Sequence, residues 1–235
     1  MFMDEVHTTA PFQEIMAVFQ AESLTSTVTV GGDDGDVYTL TADDDLVFGR
    51  GGDDVIRVAR GDDVVLAGRG DDFVDGGEGS DLLSGGSGND VILGREGDDL
   101  IAGGSGDDVL YGGRGNDFII DGDGSDRAQG GDGNDIFLFT QPSLMGGVSD
   151  DLDIFDGGNG YDTLFLRVES GLLAKTKFND FFGISNASIL DKLGVEAKNI
   201  DHIEFIGYDE HPKEIASVSD GMQARLTEAE LWNFV

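Results

Sequence analysis

The 235-residue chain has no cysteine, 3 prolines, 1 tryptophan and 3 histidines, and sets only 14 basic side chains against 48 acidic ones. Without cysteine there is no disulfide, no thiolate zinc site and no thiol nucleophile. The shortage of lysine and arginine leaves a formal net charge of −34. That excludes the basic face that nucleic acids and anionic membranes require. No run of 18 apolar residues occurs, so no membrane span is expected. Met1-Phe2-Met3-Asp4-Glu5 is acidic where a secretory leader is basic, and no apolar stretch of a leader follows it.

What the chain has instead is aspartate and glycine, 38 of the latter. High charge with abundant glycine is also the signature of disorder, so the arrangement of the apolar residues decides. From Gly31 to Leu138 the sequence divides into twelve consecutive nonapeptides, of which GGSGNDVIL (85–93) and GGSGDDVLY (103–111) are clear copies. Position six is aspartate in all twelve, position four is glycine in ten, and position eight is always apolar or aromatic. A disordered linker has no reason to hold an apolar residue in phase over 108 residues.

Positions seven to nine form a short strand with position eight pointing opposite to its neighbours. Glycines at positions one, two and four permit the left-handed backbone and close approach that a turn needs. Two repeats then make one coil of a flattened parallel solenoid, and six coils at about 4.8 Å each give a length of roughly 29 Å. Stacked coils bring like carboxylates together along both edges, where they repel unless a cation lies between them. Carboxylates and glycine-turn carbonyls are hard oxygen donors, the set calcium takes at six to eight coordination. Magnesium demands smaller octahedral sites, and zinc lacks its cysteines and has histidines only outside the repeats. Asx turn-capping accounts for one Gly-Asp pair, but not for twelve in register.

The pattern resembles the GGxGxDxUx repeat of RTX, or hemolysin-type calcium-binding, proteins over residues 31–138, and returns in phase as GGNGYDTLF at 157–165. That resemblance implies an all-β, right-handed parallel β-roll in which each ion sits between turns of neighbouring coils on one edge, pairing Asp72 with Asp90 and Asp81 with Asp99. The carboxylate ligands it implies are Asp54, Asp63, Asp72, Asp81, Asp90, Asp99, Asp108, Asp117, Asp126, Asp135, Asp153 and Asp162. The implied carbonyl ligands are Gly68, Gly70, Gly77, Gly79, Gly86, Gly88, Gly97, Gly104, Gly106, Gly113, Gly115, Gly122, Gly124, Gly131 and Gly133. Six repeats on each edge leave room for up to about ten Ca2+ ions. Residues 31–138 hold 25 Asp and 2 Glu against 7 Arg, a charge of −20 that ten divalent ions would match. The first two repeats carry Asp34 and Asp43 at position four, which makes Asp36 and Asp45 poor ligands. In 121–129, Asp121 replaces the first glycine, and Arg127 and Ala128 weaken the expected strand more than the turn. Asp121–Asp126 is not an EF-hand loop, since its sixth position is not glycine and no helical pattern flanks it.

Positions seven and nine face outward. Alternate repeats place Leu46, Phe48, Val64, Leu66, Leu82, Ser84, Leu100, Ala102, Phe118, Ile120, Ile136 and Leu138 on one side, a nearly all-apolar patch that calls for a cover. The C-terminal region, a second copy or a protein partner would supply it. Residues 1–30 form an N-terminal cap in which Pro11–Ala21 spaces Phe12, Ile15, Met16 and Phe19 as a helix sealing the first coil. A membrane-binding helix is the weaker use of that segment, because Glu14 and Glu22 are repelled by anionic lipid. The roll spans 31–165; residues 139–156 break the glycine pattern while keeping its length, with Asp153-Ile154-Phe155 at positions six to eight. Residues 166–235 read as a mixed cap of short strands and helical turns, ending in a Thr227–Glu230 capping box. The resemblance also implies an uncleaved C-terminal signal, a type I secretion exporter as partner and a bacterial, secreted or cell-surface location.

No enzyme is expected. About 30 residues precede the repeats and about 70 follow the last copy, too few for the catalytic domains found beside such repeats. HExxH and G-x-S-x-G are absent, and Asp201, His202, Glu204 and His211 form an acid–histidine cluster with no nucleophile or metal spacing. A structural, adhesive or interaction role follows, or that of a calcium-dependent module serving a separate enzyme or particle; a small hydrolase using Asp201 and His202 is the weakest reading.

Overall fold

The computed structural model describes residues 27–140, 152–168, 190 and 193–207. The proposed N-terminal helix, the capping-box helix, His211 and the tripeptide Asn186-Ala187-Ser188 lie outside them. The early strands are β1 (Val28–Val30), β2 (Val37–Thr39), β3 (Leu46–Gly51), β4 (Val55–Arg60), β5 (Val64–Arg69) and β6 (Phe73–Glu78). The middle is β7 (Leu82–Ser87), β8 (Val91–Glu96), β9 (Leu100–Ser105), β10 (Val109–Arg114), β11 (Phe118–Asp123) and β12 (Arg127–Asp132). The chain continues through β13 (Ile136–Thr140), β14 (Asp153–Asn159), β15 (Thr163–Val168), β16 (Val195–Lys198) and β17 (His202–Gly207).

Odd strands form a nine-stranded sheet and even strands an eight-stranded one, so the chain changes sheet at every turn. Neighbours are parallel and 18 residues apart through the repeats, as in Leu83 beside Ile101 and Leu110 beside Ala128. This is a parallel β-roll. Strands β3 to β12 are each six residues long rather than three, because positions one to three of the next repeat continue the extended chain. Position one then points inward with position eight, which is why Val58 and Ala67 are fully buried beside Ile56 and Val65 in the inner core.

Repeat 121–129 forms a complete strand after all, since β12 pairs with both β10 and β14. Arg127 is exposed and costs nothing, while the small Ala128 sits in register with Phe155. Phe155 meets Phe137 edge to face at 5.7 Å between ring centres. A small residue beside two large ones fills the layer without a void. Between β13 and β14 the chain is one repeat length longer, so the pairing interval becomes 27 residues, with Ala128 beside Phe155. Sheet pairing also runs past both ends of 31–165: β1 joins the nine-stranded sheet, β17 closes its other end, and β16 extends the eight-stranded sheet. Leu193 and Val195 are buried in the inner core with Leu190, Ala197 and Ile203 against it.

Outward residues of the nine-stranded sheet form a second cluster of buried residues, including Leu46, Leu100, Phe118 and Leu138. The patch is therefore not bare within a single copy of the chain.

Candidate metal centre

Positions four to six are all that remains between one strand and the next, so each turn has three residues. Position-four glycines hold φ in the left-handed region, as at Gly79 (φ +136). A side chain there would also run into the carbonyl oxygen of Gly61, the equivalent residue one coil earlier. These carbonyls point along the stack, and among the described residues they accept none of the backbone hydrogen bonds that knit the turns.

Position-six aspartates turn inward from the same turns. Asp54, Asp63, Asp72, Asp81, Asp90, Asp99, Asp108, Asp117, Asp126, Asp135, Asp153 and Asp162 are all at most 2% exposed. One oxygen of each repeat aspartate accepts the backbone N–H of the aspartate one coil earlier. Asp72 N–H donates to Asp90 Oδ1 at 2.8 Å and Asp81 N–H to Asp99 Oδ1 at 2.9 Å. On either side of the longer interval the ladder continues from Asp126 to Asp153 and from Asp135 to Asp162, each at 2.9 Å. The expected pairs are thus adjacent. The second oxygen of Asp63, Asp72, Asp90, Asp99, Asp108, Asp117 and Asp135 is buried with no hydrogen-bond partner. In Asp90, Asp99, Asp108, Asp117 and Asp135 it lies near the position-one glycine of the same repeat, as Asp99 Oδ2 does beside Gly94.

Burial first, and the like charges of neighbouring rungs after it, drive these carboxyls far above their ordinary value of 3.8, against the opposing pull of the N–H bond. Asp99 reaches about 9, Asp63, Asp108 and Asp117 about 8, Asp90 and Asp135 about 7, and Asp72 about 6. Asp36 goes the other way: its carboxylate accepts the Tyr38 hydroxyl at 2.7 Å and the Gly32 N–H at 3.2 Å, and both lower it. A buried carboxylate with one idle oxygen must hold a proton or meet a cation.

The family model described as the RTX calcium-binding nonapeptide repeat (4 copies) matches residues 30–65, 51–83, 59–92, 84–119 and 111–139. The chain is an RTX-repeat protein, and a calcium-binding one. No curated protein and no solved structure matches it.

The RTX roll fits calcium on its own geometry. The donor set is oxygen only, the orphaned oxygens recur at every coil, and the turn carbonyls lie between coils. Four features are not read from the motif. Position five carries a second ladder: Asp71 N–H donates to Asp53 Oδ1 at 3.0 Å, Asn89 N–H to Asp71 Oδ1 at 2.8 Å and Asn134 N–H to Asn116 Oδ1 at 2.9 Å. Its signal is Asp, Asn or Ser at that position in eleven of the twelve repeats, Gly35 being the exception. Asp45 joins the position-six ladder despite Asp43, accepting the Thr27 N–H at 3.0 Å. Asp121 points inward at position one and brings a buried carboxylate oxygen within 4.8 Å of those of Asp126 and Asp153. At the far end, Asp201 takes the place of a position-six aspartate by accepting the Asp162 N–H at 3.0 Å. Its neighbours His202 and Glu204 are exposed on β17, 3.7 Å apart. Among the described residues no helix is long and apolar enough to cross a membrane.

Proposed function

We propose that this chain is a secreted, non-catalytic calcium-binding protein that stays unfolded at low free calcium and condenses into the roll outside the cell. The observation that carries it is the row of buried, half-satisfied carboxylates repeated at every coil. Such a row opposes folding at neutral pH, so the folded state depends on what neutralises it. Ligands are the position-six carboxylates from Asp54 to Asp162 with the carbonyls of positions two and four, offering up to about ten sites. Bound calcium supplies positive charge and takes up the hard oxygens. The protein's own backbone N–H groups orient one carboxylate oxygen and leave the other available.

An unfolded, self-repelling chain is the form a type I exporter passes, and millimolar external calcium is the range of extracellular sites. Asp201 is engaged in the ladder and His202 stands exposed, which favours a structural, adhesive or interaction role over catalysis. A partner or second copy would meet the eight-stranded sheet, whose outer side leaves Tyr111 37% exposed. Far-ultraviolet circular dichroism and small-angle scattering in chelator and in millimolar calcium test the switch. A chain equally compact in both would overturn it. Light scattering in calcium then separates a monomer from a self-associating surface protein.

A further inference from the structure

The two outer faces of the roll are built from the same repeat positions, yet only one of them is bare. On the nine-stranded sheet Leu100, Phe118 and Leu138 are buried, whereas every position-seven and position-nine residue of the eight-stranded sheet is half-buried or exposed. Parallel register lines those residues up in two columns from β4 to β14. Val55, Phe73, Val91, Val109, Arg127 and Ile154 make one; Arg57, Asp75, Leu93, Tyr111, Gln129 and Asp156 make the other. Eight strands about 4.8 Å apart, mostly six residues long, present roughly 700 Å². Two such faces bury about 1,400 Å² between them, within the range of specific, stable interfaces.

The charge of this face sets it apart from the rest of the chain. With Glu196 and Lys198 of β16, the columns carry three basic and three acidic side chains in a chain of net charge −34. A copy of the same chain therefore meets no net repulsion here. Lys198 pairs with Glu196 at 2.9 Å, and Arg95 with Asp75 at 2.8 Å. Among the described residues no ion pair holds Arg57 or Arg127; the Arg57 guanidinium lies over the Phe73 ring.

Two copies meeting on one shared face are related by a twofold axis lying in the interface. An axis along the stack sets each strand against its own copy and exchanges the columns. Arg127 then meets Gln129, Asp75 meets the Phe73 ring, and no charge finds its opposite. An axis along the strands, midway between β8 and β10, keeps each column on itself and reverses the strand order. β4 then faces β14, and Arg57 meets Asp156. β6 faces β12, which brings Arg127 to the Phe73 ring and Gln129 to Asp75. β8 faces β10, with Leu93 on Tyr111, Val91 on Val109 and the long Arg95 opposite Gly113.

We propose that the outer face of the eight-stranded sheet binds the same face of a second copy of this chain, across a twofold axis parallel to the strands between β8 and β10. The dimer rests on the calcium-folded roll proposed for this chain and names the partner of its bare sheet.

Sedimentation velocity of the full chain in saturating calcium, with the β signal checked by circular dichroism, tests it. The mass should rise with concentration to twice 24.8 kDa and go no further. Arg57→Asp and Asp156→Arg should each weaken the dimer at least about tenfold, since one reversal sets two pairs of like charges together. The double variant restores both pairs and should regain most of the loss. Tyr111→Glu at the centre should also weaken it, while Arg69→Glu on the other sheet should not. A folded chain that stays monomeric, or assembles beyond two, overturns the dimer and leaves the calcium switch standing. Single reversals without effect, a double variant no better than either single one, or an equal loss in Arg69→Glu overturn this interface. A chain without β signal in calcium overturns the switch and the dimer with it.

Discussion

Acid should fold this protein in the absence of calcium. Asp99 and Asp117 are buried in the roll with carboxyls pushed up to about 9 and about 8, against 3.8 when the chain is open. Between those limits the folded state holds protons that the unfolded state has released. Stability is therefore intact below about pH 4 and falls as pH rises through the window up to 8–9. At pH 7 each of the two sites is displaced by about three pH units, on the order of 4 kcal/mol apiece. Two such terms rival the whole stability of an ordinary domain, about 5–15 kcal/mol, and Asp63 and Asp108, also at about 8, act in the same direction. The calcium-free roll should be unfolded at pH 7–8 and should gain β signal on titration toward pH 4.5 in chelator. Micromolar protein is needed, because the pI is near 4.1. Calcium at pH 7 should reproduce the acid spectrum, since both remove the same buried charges. A chelated chain whose circular dichroism is identical at pH 4.5 and pH 8, folded or not, would refute the reasoning.

Asp99→Asn should have opposite effects in the two conditions. Asn keeps the acceptor for the Asp81 N–H and removes the charge, so it should move the acid-folding midpoint to higher pH in chelator yet raise the calcium concentration needed to fold at pH 7. Ala59 holds φ +92 at position two, where most repeats have glycine. Ala59→Gly relieves about 1–2 kcal/mol of left-handed strain and returns part of it to the unfolded chain, for a net gain of roughly 0.5–1 kcal/mol. That should read as a few degrees in the calcium-bound melting temperature. Gly79→Ala meets both a φ of +136 and the Gly61 carbonyl and should lose more than about 3 kcal/mol. Ser80→Ala, which removes one weak 3.3 Å bond from the Asp98 N–H, should lose about 1 kcal/mol or less by the same melts.

The period carried most of the fold. Because position eight never loses phase, the strand order, the 18-residue register and the inner core are legible in the sequence. Position six was legible as well, since only aspartate occupies it. Position five was not, because three residue types share it and the property they share, a short side chain able to accept a backbone N–H, is not visible as identity. Strand length was misjudged for a related reason. A glycine reads as a turn, yet position-one glycine here lies within a strand, and Val58 and Ala67 at the same position reveal it.

The ends show what the period cannot carry. The ladder steps by 18 residues, then by 27 at Asp153 and Asp162, then by 39 to Asp201, yet the contact stays an N–H reaching a carboxylate oxygen at 2.7–3.0 Å. What the fold conserves is therefore the rung rather than the spacing. The two longer intervals keep the rung because each returns an aspartate to the edge. Each rung uses the backbone of one coil to orient the carboxylate of the next, so no coil can present its free oxygen alone. Filling one site then orders the ligands of its neighbours, and nearest-neighbour coupling of this kind makes a stack fold as a unit. The calcium transition should accordingly be steeper than a single site allows, and a break in the middle of the ladder, as in Asp99→Asn, should split it more than the same change at the outer Asp54.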